Sequence, residues 1–256
     1  MGDTGSLALG GIIAVAAISA IAQNKLTKEY KFGKITSIEA SSVYDIEVTQ
    51  GNSGTVKVVY DEFFKDRLMV NYINGKLNLE VASTKMRNNN RNIEGIKVYL
   101  QMPTIEDLDL SGASSLKAMG SFKTDELDVE LSGASSISGL VISGNDLSLD
   151  CSGASTLNLK GDFKTIEAEI SGASEIVLNS NSTVFEGEFS GAATAKIYGD
   201  HKNTDVVCSG ASSIILEGKT DYIKSVTTGA SNLKAQEFTA LNGYAQVSGA
   251  SNAKVR

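Results

Sequence analysis

The sequence has no tryptophan, one proline (Pro103), one histidine (His201) and two cysteines (Cys151 and Cys208). Two cysteines cannot make a disulfide-dense scaffold, and a single histidine leaves little for a His/Cys metal site. A basic surface is lacking too. The formal net charge is -7, no basic patch offsets it, and this argues against nucleic acid or an anionic membrane as partner. No cofactor motif is found. The longest uncharged apolar run, Leu7–Ala22, has 16 residues, short of the ~20 that span a bilayer. Glycine, by contrast, is abundant at 25 residues. With the apolar residues regularly spaced, many glycines and one proline suit repetitive β structure with glycine corners better than disorder.

What is present is a repeat. Ser111-Gly112-Ala113-Ser114 returns at Ser132, Ser152, Ser171, Ser190, Ser209, Thr228 and Ser248, at intervals of 21, 20, 19, 19, 19, 19 and 20 residues. Glycine follows in every copy, at Gly112, Gly133, Gly153, Gly172, Gly191, Gly210, Gly229 and Gly249, and then alanine. Apolar residues stand just before the serine (Leu110, Leu131, Cys151, Ile170, Phe189), and again five and seven residues after it (Leu157 and Leu159, Ile176 and Leu178). Polar residues fill the places between. Period two is the strand signature. Each unit reads as a strand, a Gly-Ala corner, a second strand and a loop.

Such a unit closes a core only by stacking, and the expected architecture is all-β: a single-stranded parallel β-helix (solenoid) with ~20-residue coils. Coils then lie ~4.8 Å apart. Glycine fits a bend with positive φ or close approach, and the alanine fits where only a methyl group can point inward. Serines can form ladders up the stack. Cys151 and Cys208 fall in one column three coils, or ~14 Å, apart, beyond the ~7 Å Cα separation of a disulfide, so two buried thiols are expected.

The SGAS coils, together with IEASSVYDIEVTQG (Ile38–Gly51) and IKVYLQMPTIEDLDLSGAS (Ile96–Ser114), resemble the family called putative auto-transporter adhesin, head GIN domain. The resemblance covers roughly residues 35–256 and implies a right-handed β-helix in a bacterial cell-envelope protein. It carries no catalytic residues.

Before the repeat, residues 1–22 read as a probable secretory signal peptide or N-terminal hydrophobic segment. Ala20-Ile21-Ala22 has the form of a cleavage site, although Met1–Ser6 lacks a positive charge. Cleavage would leave no stable membrane span and send the chain to the periplasm, the outer-membrane surface or the exterior. Residues 30–105 read as irregular N-terminal β coils that cap the 106–256 β-helix. They comprise a strand over Ile35–Thr49, another over Thr55–Tyr60, a helical turn begun by Asp61 and a hairpin about Asn74-Gly75. The polar loop Met86–Asn92 and a strand over Ile96–Met102, ended by Pro103, follow.

The candidate site is an acidic face. Two residues before the serine stand Asp109, Glu130, Asp150, Glu169 and Glu188; four before it stand Asp107, Asp128, Glu167, Glu186 and Asp205. Stacking turns these into two lines of like charge at ~5 Å spacing, answered by cations, water and salt, or lysines such as Lys117, Lys196, Lys234 and Lys254. The face either binds cations or a basic partner, or keeps sheets from sticking together. His201 lines up with Phe122 and Phe163 and reads as a structural member of an aromatic corner, since no third group completes a catalytic set. The function expected is non-enzymatic: an exported scaffold or adhesin for an unknown protein or glycan ligand. The alternatives are a module assembling end to end, as a homo-oligomer through coil ends or edges, and a carbohydrate-active enzyme.

Overall fold

In the computed structural model, residues 25–82 and 95–255 are described, and they form one continuous parallel β-helix with almost no helix. The Leu7–Ala22 segment and the Met86–Asn92 loop lie outside the described residues. The eight SGAS corners bracket seven turns, each strand pairing in parallel register with its equivalent one turn on. Strands before the corner build a front sheet. Strands after it build a side sheet, and shorter segments such as Ser121–Lys123 close the third side.

The corner explains the repeat. Gly191 has φ +65°, a left-handed conformation, and a Cβ there would lie 2.7 Å from the carbonyl oxygen of Gly172 below. Both demands, conformation and close approach, select glycine. The amide of each corner alanine donates to the carbonyl of the corner residue beneath, Ser42 for Ala113 and a glycine from Ala134 on, as Ala192 does to Gly172 and Ala211 to Gly191, each at 2.7 Å. The alanine itself is exposed, contrary to the inward methyl expected. The left-handed glycine interrupts the alternation of the strand, so the next residue faces out and the one after it faces in. The inward position belongs to the fourth residue: Ser114, Ser135, Ser155, Ser174, Ala193, Ser212 and Ser231 are all buried. The hydroxyls of several bond up the stack (Ser155 to Ser174, 3.0 Å) or to corner carbonyls (Ser174 to Ser171, 2.8 Å; Ser231 to Thr228, 2.6 Å), whereas those of Ser114 and Ser135 have no protein partner.

Inside lie the alternating apolar columns of the repeat, buried from Leu110 to Thr227. In the coil with a one-residue insertion, Leu140 rather than Gly139 fills the inward place. A bulge after Ile137 absorbs the extra residue, with Gly139 at φ +69°. Cys151 and Cys208 are buried free thiols, joined through Ile170 and Phe189 by three steps of register, and burial pushes both up to about 12.

The N-terminal region is more regular than its sequence suggests. The segment expected as one strand over Ile35–Thr49 is two, β2 (Ser37–Ser42) and β3 (Tyr44–Gln50), which follow β1 (Lys25–Lys31). The bend falls at Ser42, whose φ of 119° stands where later coils have glycine. β2 and β3 are a full repeat coil, since Ser42 pairs with Gly112 and Ile46 with Leu116 in the coil above. The chain between, 51–106, supplies the cover. β4 (Thr55–Asp61) follows a turn over residues 51–54, and Asp61 accepts the Phe63 amide at 2.8 Å to start a short 3₁₀ turn. β5 (Leu68–Ile73) and β6 (Lys76–Val81) form the hairpin about Asn74-Gly75, and β7 (Ile96–Met102) ends at Pro103. β6 and β7 lie parallel beneath β2 and β3; beyond them β5 and β4 run antiparallel, and β1, antiparallel to β4, returns to the direction of β7. The front sheet thus ends on β5 and the side sheet on β1.

Candidate functional site: a double column of carboxylates

Parallel register converts a spacing in sequence into a column in space. Asp109 pairs with Glu130, Glu130 with Asp150, Asp150 with Glu169 and Glu169 with Glu188. The line begins one coil earlier than the repeat showed, because Glu39 on β2 pairs with Asp109. Asp107 and Asp128 pair in the second line, as do Glu167, Glu186 and Asp205, with Ser148 interrupting between the two groups. The ten expected carboxylates therefore share the front sheet. A short third line, Glu126 over Asp146, stands at its edge and follows the same alternation one step further from the corner. Glu106, Asp107, Asp125, Glu126, Asp128 and Lys123 line a shallow cleft of about 860 Å³ there.

Lysines of the front sheet close both lines at the foot and the second line at the top, whereas the first line ends at Glu188 beneath Val207. Lys76 on β6 lies 3.2 Å from both Glu39 and Asp107, and Lys224 lies 2.6 Å from Asp205. Lys117, Lys196, Lys234 and Lys254 stand beyond the corner on the side sheet and form no ion pair with these carboxylates. Between the end lysines, like charges face one another. Partial burial and the Glu39 charge hold the Asp109 carboxyl above its ordinary value despite Lys76; burial, Asp109 and Asp150 do the same to Glu130. A carboxyl whose folded pKa is raised is stabilised relative to the unfolded chain as pH falls from above the folded value to below the unfolded one.

His201 is not at an aromatic corner with Phe122 and Phe163. It sits within the strand Thr194–Cys208, buried, with ring centroids 5.1 Å from Phe185 and 6.2 Å from Phe238. Its Nδ1 is 2.7 Å from Ser182 Oγ and its Nε2 has no hydrogen-bond partner. Burial pulls it down to about 4, so it is a neutral core group and a poor base. The sign of its effect is opposite to that of the carboxylates. Its folded pKa lies below the unfolded value of 6.5, so its contribution is complete above pH 6.5 and is lost as pH falls toward 4. That gap corresponds to about 3 kcal/mol. Chemical denaturation at pH 7 and pH 4.5 should show this loss, and His201→Phe should shrink it while leaving the carboxylate contribution. No group of His, Cys, Asp and Glu among the described residues is arranged to hold a metal ion.

A sequence profile of the family described as putative auto-transporter adhesin, head GIN domain, matches residues 34–180 and 167–256. The chain belongs to this family. Solved structures agree in fold. A putative adhesin from Parabacteroides merdae is 16% identical, with TM-score 0.70 over 90% of this chain and 95% of that one. One from Parabacteroides distasonis is 16% identical, with TM-score 0.73 over 91% and 96%. A structure titled putative lipid binding protein, also from Parabacteroides distasonis, is 17% identical, with TM-score 0.55 over 88% and 97%. No curated protein matches the chain significantly. At these identities the solved structures speak for the β-helix alone. Family membership suggests a cell-envelope or surface protein, and no helix among the described residues is long and apolar enough to cross a membrane.

Proposed function

We propose that this member of the adhesin-like family is an exported, non-enzymatic envelope or surface protein whose β-helix is a rigid contact element, with the carboxylate columns as its contact face. The observation that carries the reading is the unbroken register of those columns. Carboxylates repeat at one strand spacing, ~4.8 Å, on a sheet that cannot flex one coil without its neighbours. Such a surface matches a partner with repeated cationic or hydrogen-bond-donating groups, a protein or a glycan, rather than a single small molecule. Catalytic sites in β-helices would break the local pattern, and here the repeat is most regular where the charge is densest. End-to-end polymerisation is disfavoured by β5, which ends the front sheet in the reversed direction, and by the charged residues of β1 at the foot of the side sheet.

Fractionation of the producing cells tests the location: the chain is expected in the envelope or outside the cell, and a purely cytoplasmic chain overturns the reading. For the face, purified chain binding to immobilised glycans and surface proteins should fall at least tenfold when Asp150→Asn, Glu169→Gln and Glu188→Gln are combined. Undiminished binding by the folded triple variant would place the contact elsewhere.

A further inference from the structure

We infer that the coils from Thr194 to Val247 form an acid-labile unit, which opens about a protonated His201 while the coils below it stay closed. The make-up of the interior points to this. In the lower coils two inward columns of the front sheet are filled with Leu108, Val129 and Leu149 and with Leu110, Leu131 and Cys151. Higher up, the same columns carry Ser225 over Val206 and Thr227 over Cys208. Ser225 and Thr227 are each 0% exposed, and neither hydroxyl has a hydrogen-bond partner among the described residues. Thr204 and Thr220 are inward too, their hydroxyls 3.1 Å apart, and on the side sheet Ala195 stands over Ile176. Unpartnered buried hydroxyls are costly, and small side chains bury little apolar surface, so these coils are held more weakly than those below. The boundary falls above Phe185 and Phe189, which fill the coil beneath. A solenoid lets weak coils open without the rest, because each is coupled mainly to its neighbours.

His201 ties the weak coils together. It pairs with Thr220 directly above, and its ring lies 5.1 Å from Phe185 below and 6.2 Å from Phe238 two coils up. Ser182 Oγ meets Nδ1, but a proton added at Nε2 would find no acceptor. Charged groups on the surrounding strands all point outward and are exposed: Asp200 and Lys202 beside it, Glu186 below, Lys219, Asp221 and Glu237 above. Of these only Asp200 favours the imidazolium, and burial outweighs it. The proton therefore binds the opened coils in preference. With the imidazole at about 4 when closed and 6.5 when open, acidification from pH 7 to pH 3.5 favours opening on the order of a hundredfold. The lower coils respond with the opposite sign, since the raised carboxyls of Asp109 and Glu130 gain stability as pH falls. Acid thus loosens one part of the stack and tightens the other. The carboxylates up to Glu188 stay on closed coils, and the Asp205–Lys224 pair lies on the opening ones.

Hydrogen exchange read by mass spectrometry on the full chain, at pH 7 and pH 3.5, tests this when each rate is taken relative to that of unstructured peptide. Protection over 194–247 should fall about a hundredfold in acid, and over 107–189 it should change less than tenfold. His201→Phe should keep the protection at pH 7 and remove most of the fall. His201 is the one histidine, so its ring resonance can be followed in the native chain by NMR, and its titration should coincide with the loss of protection. An equal fall in every coil, a fall that persists in folded His201→Phe, or an imidazole that titrates with protection intact would each overturn the inference.

Discussion

Gly191→Val should destabilise the fold by about 2–5 kcal/mol, while Ala192→Ser, one residue on, should leave stability within experimental error. The two positions differ only in what the corner asks of them. At Gly191 a side chain meets φ +65° and the Gly172 carbonyl at 2.7 Å, and forcing it in displaces the carbonyl that accepts the Ala192 amide hydrogen bond. A left-handed β-branched residue costs about 1–2 kcal/mol in conformation alone, and displaced backbone with a lost buried hydrogen bond adds about 1–3 kcal/mol. The total is a large fraction of a domain's usual stability of roughly 5–15 kcal/mol. Ala192 points into solvent. Urea denaturation of the two variants side by side checks the contrast, and a Gly191→Val chain as stable as the parent would remove the corner from the account.

Phe189→Ala should cost about 3–5 kcal/mol, the range for emptying a fully buried aromatic site. Phe189 is 1% exposed, and it stands between Ile170 and Cys208 in the column of residues before the corner. In a solenoid each coil touches mainly its neighbours, so the loss should be local at first. Hydrogen exchange should accelerate most in the coils about residues 165–208 and least in β2, β3 and β7. Uniform acceleration over the whole chain would show that the stack melts as one unit.

The fold was legible in the sequence because its governing constraint is local. A left-handed bend under a close neighbour demands glycine, and it does so every 19 to 21 residues. The carboxylate columns followed, since register in a stack is set by the corner. What stayed hidden has physical causes. The coil of β2 and β3 is disguised because Ser42 takes the corner with φ 119°, and because residues 51–106 intervene before its partners β8 (Asp107–Gly112) and β9 (Ser115–Met119) arrive. Glu39 and its role at the foot of the column were lost with it. The inward serine was mistaken for an inward alanine because strand alternation does not survive a left-handed residue. Lys76 could not be placed, since a hairpin signal gives the pairing of β5 with β6 but not the docking of β6 beneath β2. His201 matched Phe122 and Phe163 by spacing, but its ring meets Phe185 and Phe238, which the front and third sides bring inward.

The central claim is that each turn lies flat on the one before, so that a position repeated in sequence climbs in a straight line. Pulsed electron–electron resonance between spin labels on corner alanines measures this directly, since those side chains are exposed. Labels at Ala113 and Ala192 are four coils apart and should lie ~19 Å apart; at Ala113 and Ala230, six coils apart, ~29 Å, before the reach of the label is added. A separation that rises by one strand spacing per coil upholds the columns and the contact face built on them. Distances that scatter, or that fail to grow with the number of intervening corners, would contradict both.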